Sequence, residues 1–291
     1  MNIRDSLEKD IKDAYDVTLY SKASISRILD VHPSELPICP TAYMLRYLAV
    51  VSKLVNKSDL RSAITLGIGT YVHRCMQDFL PYTMKSRMIG DWTCNNCHKT
   101  YIAREKLDAC ENCGCKDFTY DEIAINYKGF AGHIDTVYKY EDSVAIVDYK
   151  TATLSNYLVK AQNPGINYQM QIRAYALLLK LQYGIKVTDA FLVFIAKEKP
   201  GPNTFALYHE EITKAKLHDT FEFLSAQRLL KKQLTSLKTY DEFMSLLPEP
   251  CSNEYCEACS SGKFNESIGK IKELWDESLF PIKEYIIKSI K

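Results

Sequence analysis

Two runs, Ile134–Tyr140 and Ser143–Tyr149, are rich in β-branched and aromatic residues and are separated only by Glu141-Asp142. That pattern predicts a tight β-hairpin. With the turn on Glu141-Asp142, Tyr140 faces Ser143, Thr136 faces Val147, and Asp135 faces Asp148. Elsewhere the 3.6-residue period predicts helices. A short one spans Ser24–Leu29, and a second starts at Pro37-Ile38-Cys39-Pro40 and runs through Tyr43, Leu45, Tyr47 and Leu48. Leu60–Met84 is expected to form one or two helices interrupted at Gly67 and Gly69. Tyr168–Tyr183 reads as amphipathic, and Thr213–Lys238 as a helix with a basic face. Tyr120–Tyr127, Val187–Ala196 and Phe205–Glu210 read as strands, and Thr151–Pro164 as a polar loop carrying Lys160. Ile268–Ile287 is an amphipathic closing element that Pro281 should kink or split.

The hairpin brings chemistry with it. Cross-strand neighbours hold their Cβ atoms about 4.5–5.5 Å apart. Two carboxylates that close repel unless a proton or a cation sits between them. Lys150 lies two residues beyond Asp148, on the same strand face. Ala145, Ile146 and Val147 make the strand apolar, so Asp148 stands at the end of a core strand. A hard divalent cation such as Mg²⁺ suits such a patch, and Lys150 is placed to position or activate a water. The bland alternative is a surface salt-bridge cluster. Gln171 and Tyr175, four apart, share one helix face.

Cysteine spacing adds two further clusters among ten cysteines. Cys94-x2-Cys97 and Cys110-x2-Cys113 have the paired spacing that closes four thiolates around Zn²⁺, so Trp92–Phe118 is expected to be a zinc ribbon. His98 and Cys115 are alternative ligands, but four cysteines already complete the site. Lys99, Arg104, Lys106 and Lys116 give the ribbon a mildly basic surface suited to gripping nucleic acid or a partner. Cys251, Cys256 and Cys259 crowd into nine residues. Cys39 and Cys75 stand alone; a buried structural thiol is the ordinary reading of such a residue.

The motifs Gly132-x-x-Asp135, Asp148-x-Lys150 and Gln171-x3-Tyr175, preceded by His73 in Gly69-Thr70-Tyr71-Val72-His73, occur in this order. Together they resemble the PD-(D/E)XK nucleases. The likeness is to the RecB/AddB-like branch that includes the small iron–sulfur nucleases of CRISPR adaptation. The resemblance spans Ser21 to Cys259. It implies an α/β, restriction-endonuclease-like mixed central sheet flanked by helices. Residues 1–91 and 118–291 would form the nuclease domain, and 92–117 the inserted zinc ribbon. It implies metal-dependent hydrolysis of DNA from an end, in replication, recombination or repair. Asp135 and Asp148 would hold Mg²⁺ or Mn²⁺, with His73, the Tyr149 carbonyl and Glu122 completing the shell. An imidazole ligand suits Mn²⁺ better than Mg²⁺. Lys150 would orient the nucleophile, and Gln171 and Tyr175 the strand or the scissile phosphate. Cys39 with Cys251, Cys256 and Cys259 resembles the family's [4Fe–4S] staple, within 248–262. Relatives more often place the narrow Cys-x2-Cys gap first, which leaves Zn²⁺ as the alternative ligand. Where some relatives carry a histidine before the glutamine, this chain has Tyr168. DNA, single-stranded or with a free end, is the implied partner, along with helicase or recombination and replication proteins. A non-catalytic nucleic-acid-binding or scaffold subunit on the same fold is the rival reading; so is a purely structural metal protein.

Composition bounds this picture. The 291 residues suffice for one large domain or two, and the apolar and charged fractions are those of a soluble globular chain. A net charge of +1 means that DNA affinity must come from a local groove rather than bulk charge. No apolar run reaches the ~18 residues of a membrane span. Met1–Asp16 is charged and polar with no signal core, which points to the cytoplasm.

Overall fold

The computed structural model describes residues 12–13, 18–22, 29–36, 39–53, 55–84, 87–251, 256, 259, 265 and 268–269. The helix expected at Ser24–Leu29 lies outside these except for Leu29, and the closing element at Ile268–Ile287 except for residues 268–269. The chain divides into two compact units, one of residues 1–31, 35–66 and 226–291, the other of 32–34 and 67–225.

In the first unit, β1 (Thr18–Lys22) pairs antiparallel with β2 (Val55–Asp59). Helix α1 (Pro40–Lys53) begins where proline is tolerated best, at the first helical position, whose N–H has no partner within the helix. Cys39 precedes it. Its carbonyl accepts from Tyr43 N (3.1 Å) and its thiol from Ala42 N (3.4 Å). Tyr43, Met44, Leu45 and Tyr47 of α1 pack against Leu234, Leu237 and Phe243. Leu234 ends α5 (Lys214–Leu234), and Phe243 lies in α6 (Tyr240–Leu246). The basic helix expected to reach Lys238 therefore stops earlier. A separate helix follows, capped by the Thr239 hydroxyl accepting from Glu242 N at 3.1 Å.

Lys231 of α5 does not lie on a solvated face. It is buried, with its ammonium 4.7 Å from the Tyr47 ring centroid and 5.6 Å from that of Tyr43. Burial pushes its pKa down to about 8, against the opposing pull of Glu35 and Asp30. A lysine with a lowered folded pKa makes stability rise with pH between about 8 and its ordinary value, and the deficit is full below 8. The two rings offset part of that deficit. Lys231→Met is therefore expected to gain about 1–2 kcal/mol in urea denaturation at pH 7 and nothing above about pH 10.5. Destabilisation at pH 7 would show that the rings and acids outweigh the desolvation.

The second unit is built on a seven-stranded sheet. Its strands are β3 (Met88–Cys94), β4 (Thr100–Glu105), β5 (Phe118–Asp121), β8 (Thr136–Tyr140), β9 (Ser143–Ala152), β10 (Asp189–Ala196) and β11 (Phe205–Glu211). The order is β11-β10-β9-β8-β3-β4, with β5 also on β3. β9 and β10 run parallel and the other pairs antiparallel, so the sheet is mixed and mostly antiparallel. The β8–β9 register is the expected one, Thr136 opposite Val147 and Tyr140 opposite Ser143, with Glu141 at the turn in a left-handed conformation (φ 53°).

Helices cover both faces. Val72, Met76 and Leu80 of α2 (Leu60–Met84) pack on Tyr149, Val193 and Ile195. Tyr168 of α4 (Ile166–Tyr183) meets Phe194 edge-on from the other face. These contacts obey strand alternation, since Val193 and Ile195 point one way and Phe194 the other. The α/β architecture with a helix-flanked mixed sheet is thus the observed one.

Several expected boundaries are corrected. Helix α2 runs unbroken through Gly67 and Gly69, because each glycine costs a helix only about 1 kcal/mol and does not stop it. The strand expected over Ile134–Tyr140 breaks at Asp135, between β7 (Phe130–Ile134) and β8. Asp135 therefore stands just off the ladder instead of directly opposite Asp148. The strand expected over Tyr120–Tyr127 likewise breaks at Glu122, where the chain leaves β5 for β6 (Ile123–Tyr127), which pairs with β7 in a two-stranded sheet. The polar loop after Lys150 contains a short helix, α3 (Tyr157–Gln162). Helix α4 buries nearly every residue from Gln171 to Leu179 instead of a single stripe. The 92–117 segment is continuous with the sheet, since β3, which carries Trp92 and Cys94, pairs with β8 at Ile89–Val137.

Candidate active site

Both strand breaks serve one place. Asp135 and Glu122 sit at chain bends, where a residue escapes the ladder and its side chain can turn to a site. His73 comes from the middle of α2. Ligand atoms of His73, Glu122 and Asp135 lie within 4.8 Å of one another. His73 Nδ1 is 3.2 Å from Asp135 Oδ2, which also accepts from the Tyr149 N–H at 2.8 Å. Glu122 Oε1 accepts from Gln77 Nε2, one turn beyond His73 on the same helix face.

Asp148 lies next to this trio, in β9. Gln171 Nε2 donates to its Oδ1 at 3.0 Å. Its Oδ2 is buried and pairs with the Lys150 ammonium at 2.5 Å. Lys150 is held from behind by the Tyr168 ring, 5.3 Å from its ammonium. Tyr175, one turn beyond Gln171, lies under Gly132: a Cβ at that position would sit 3.0 Å from Tyr175 Cε1 and 3.1 Å from its hydroxyl. The Gly132-x-x-Asp135 spacing thus has a packing reason. The bare backbone of β7 lets the Tyr175 ring close in just before the strand turns at Asp135.

Electrostatics make the site a strained cluster of acids. Burial pushes Asp148 up to about 6, and Asp135 raises it further while Lys150 opposes. Burial and the Asp135 charge also raise Glu122. Burial alone would lower His73, but the hydrogen bond and charge of Asp135 raise it overall. Burial likewise lowers Lys150, which Asp148 more than offsets. The Glu122 and Asp135 carboxylates and the His73 imidazole form a donor set that fits a divalent cation, with the buried Asp148–Lys150 pair beside it.

The structure brings the ligand atoms of His73, Glu122 and Asp135 together and places Asp148, Lys150 and Gln171 beside them, but the Asp148 carboxylate, expected to share the cation with Asp135, is not in that group of three. Gln171 and Tyr175 are buried, so Gln171 spends its donor on Asp148 before any phosphate. The sequence reading missed Gln77 and Tyr120. Gln77 was detectable as the residue four after His73; Tyr120 carried no local signal.

The cysteines form two groups, each with sulfurs within 4.8 Å of one another: Cys94, Cys97, Cys110 and Cys113, and Cys39, Cys251, Cys256 and Cys259. Sγ–Sγ distances are 3.6 Å for Cys94–Cys113, 3.5 Å for Cys97–Cys110 and 3.5 Å for Cys39–Cys259. Two thiolates at about 2.3 Å from one tetrahedral ion stand just under 4 Å apart, so either group could hold a metal ion. The Tyr101 hydroxyl, 3.3 Å from Cys110, helps bring that thiol down to about 6.

No helix among the described residues is long and apolar enough to cross a membrane. Two solved structures of an alkaline exonuclease, LHK-Exo of Laribacter hongkongensis, are distantly similar. One is the protein by itself (10% identity, TM-score 0.41) and one its complex with dAMP (11%, 0.44). Each match covers 72% of this chain and 91% of that chain. No curated protein matches the sequence. The profile of the PD-(D/E)XK nuclease superfamily matches residues 34–261, most of the chain, and the chain belongs to that superfamily.

Proposed function

We propose that the protein is a divalent-cation-dependent nuclease that hydrolyses phosphodiester bonds of DNA, working from a free end. The observation that carries this reading is the His73–Glu122–Asp135 trio, whose ligand atoms lie within 4.8 Å of one another, beside the buried Asp148–Lys150 pair. A protein that needed these groups only for folding would gain by replacing so many buried like charges. Asp135, Asp148, Glu122, His73 and the Tyr149 carbonyl would hold Mg²⁺ or Mn²⁺. The cation supplies Lewis-acid stabilisation of the phosphate and acidifies a water. Lys150, anchored by Asp148 and the Tyr168 ring, would orient the attacking water toward phosphorus. Gln171 fixes the Asp148 carboxylate, and Tyr175 fixes the strand leading to Asp135. The preference for ends rests on the family resemblance.

Within the same reading, Cys94, Cys97, Cys110 and Cys113 bind a structural Zn²⁺ in an inserted ribbon. Cys39, Cys251, Cys256 and Cys259 form a second metal centre. A [4Fe–4S] cluster is what the resemblance implies there; the sulfur spacing suits a single Zn²⁺, because a cluster sets a separate iron beneath each sulfur.

Purified full-length protein is to be incubated with end-labelled single- and double-stranded DNA and with closed circular DNA, with and without Mg²⁺ or Mn²⁺. Shortening of linear DNA only when cation is added, with circles intact, is the expected result. No cleavage under any cation would overturn the nuclease reading, and cutting of closed circles would overturn the preference for ends.

A further inference from the structure

The cysteine ribbon and the candidate cation site are joined by one strand. β5 leaves the ribbon core, where Phe118 meets the Tyr101 ring edge-on at 6.2 Å, and pairs with β3 so that Phe118 faces Cys94 and Tyr120 faces Trp92. Cys94 is thus both a ribbon thiol and the last residue of β3. Trp92 is fully buried and meets the Tyr120 ring at 5.2 Å. Gly90, on the same face of β3, also abuts the ring: a Cβ there would come within 2.1 Å of Tyr120 Cε2. The ring is therefore wedged, and its direction is set by the ribbon. Its hydroxyl is buried and donates to the backbone carbonyl of Asp135 at 3.0 Å. Two residues further on, the same strand ends and delivers Glu122 to the trio.

From this continuity we infer that the ribbon positions the catalytic cation ligands, with Tyr120 as the positioning residue that passes its geometry to Asp135. The inference rests on the cation site proposed above. The strand break at Asp135 frees its side chain from the ladder but also removes the ladder's hold on its backbone. The Tyr120 hydroxyl replaces that hold. Metal in the ribbon fixes Cys94 and with it the β3–β5 pair, so both Asp135 and Glu122 inherit their placement from a centre that takes no part in the chemistry. The ribbon is then a tuning element for cation affinity, and not only a stabilising insert.

The test measures Mn²⁺ binding to full-length protein by electron paramagnetic resonance, independently of cleavage. Tyr120→Phe keeps the ring against Trp92 and Gly90 and removes only the hydroxyl. It should weaken Mn²⁺ binding about fivefold, the worth of one net hydrogen bond, with zinc content unchanged and the melting temperature lowered by no more than about 4 °C. Its cleavage rate should return to the wild-type value at saturating Mn²⁺. Cys113→Ser alters an exposed thiol. It should release zinc and weaken Mn²⁺ by about 10- to 100-fold, the range for loss of outer-shell support. Wild-type Mn²⁺ affinity in Tyr120→Phe, or in a Cys113→Ser protein shown to have lost its zinc, overturns the inference alone. Wild-type protein that binds no Mn²⁺, or binds it equally well as Asp135→Asn, overturns the cation site and the inference together.

Discussion

Asp148→Asn is expected to lower cleavage at least about a thousandfold while the protein stays folded, its melting temperature at pH 7.5 within a few degrees of the wild type. The two halves of this result have one cause. Asp148 is buried, and its folded pKa is raised to about 6. A carboxyl whose folded pKa is raised is held more tightly as the acid, so its ionisation detracts from stability above that value, and the deficit vanishes as pH falls below its ordinary range. An asparagine keeps the shape and the acceptor for Gln171 without that charge, but it leaves the buried Lys150 ammonium with only Asp135 as a nearby counter-charge, and the two changes largely offset. The charge is what the cation needs, and so activity goes while the fold stays. Lys150→Met should match the loss of activity but lower stability, because it strands the Asp148 carboxylate with no cation beside it. The wild-type rate should fall as pH drops through about 6, where Asp148 takes up a proton. Raising Mg²⁺ should move that acid limb to lower pH, since a bound cation favours the ionised form. A limb that ignores Mg²⁺ would show that Asp148 is no ligand, and cleavage at wild-type rate by Asp148→Asn would remove the site altogether.

What the sequence could reveal followed the range of the forces involved. The β8–β9 hairpin was legible because its register depends on alternation and a two-residue turn, both local. The cysteine pairs were legible because ligand spacing is itself a geometric statement. The breaks at Asp135 and Glu122 were not, since local propensity continues both strands, and only the change from one sheet to another ends them. Helix α6 went unread although its signal is local: Thr239-x-x-Glu242 is a capping signature, and the Glu242 carboxylate reaches back to Lys238 N at 2.7 Å. Tyr120 is one of twenty tyrosines, and nothing in its neighbourhood marks it as the one that reaches Asp135. Gln171 was found through its motif, but its partner was not. The bond to Asp148 crosses from helix to sheet, and that distance is set by the packed layers rather than by sequence spacing.

Cys256→Ser is expected to remove one metal centre and to lower the melting temperature by about 5–15 °C. Cys39 and Cys259 are 220 positions apart, and their sulfurs lie at 3.5 Å. A metal shared by Cys39, Cys251, Cys256 and Cys259 closes most of the chain into a loop and so withdraws much freedom from the unfolded state. The native state is already shaped for the closure. The Thr41 hydroxyl lies 3.3 Å from the Pro248 carbonyl and 3.2 Å from that of Glu249, next to the cysteines. Burial would raise the Cys39 thiol, but the Ala42 N–H and the neighbouring thiols bring it down to about 7, so a thiolate is available at neutral pH. Cys75 belongs to neither cluster. Cys75→Ser should therefore leave metal content unchanged, a control for thiol loss alone. Cys113→Ser should remove a different centre, and the double variant Cys113→Ser/Cys256→Ser both. The colour of anaerobically purified wild type identifies the metal: brown, with absorbance near 400 nm, means the iron–sulfur cluster, and colourless protein with two zinc ions means zinc at both centres. Cys256→Ser that retained the wild-type metal content and melting temperature would show that these four cysteines hold no shared metal.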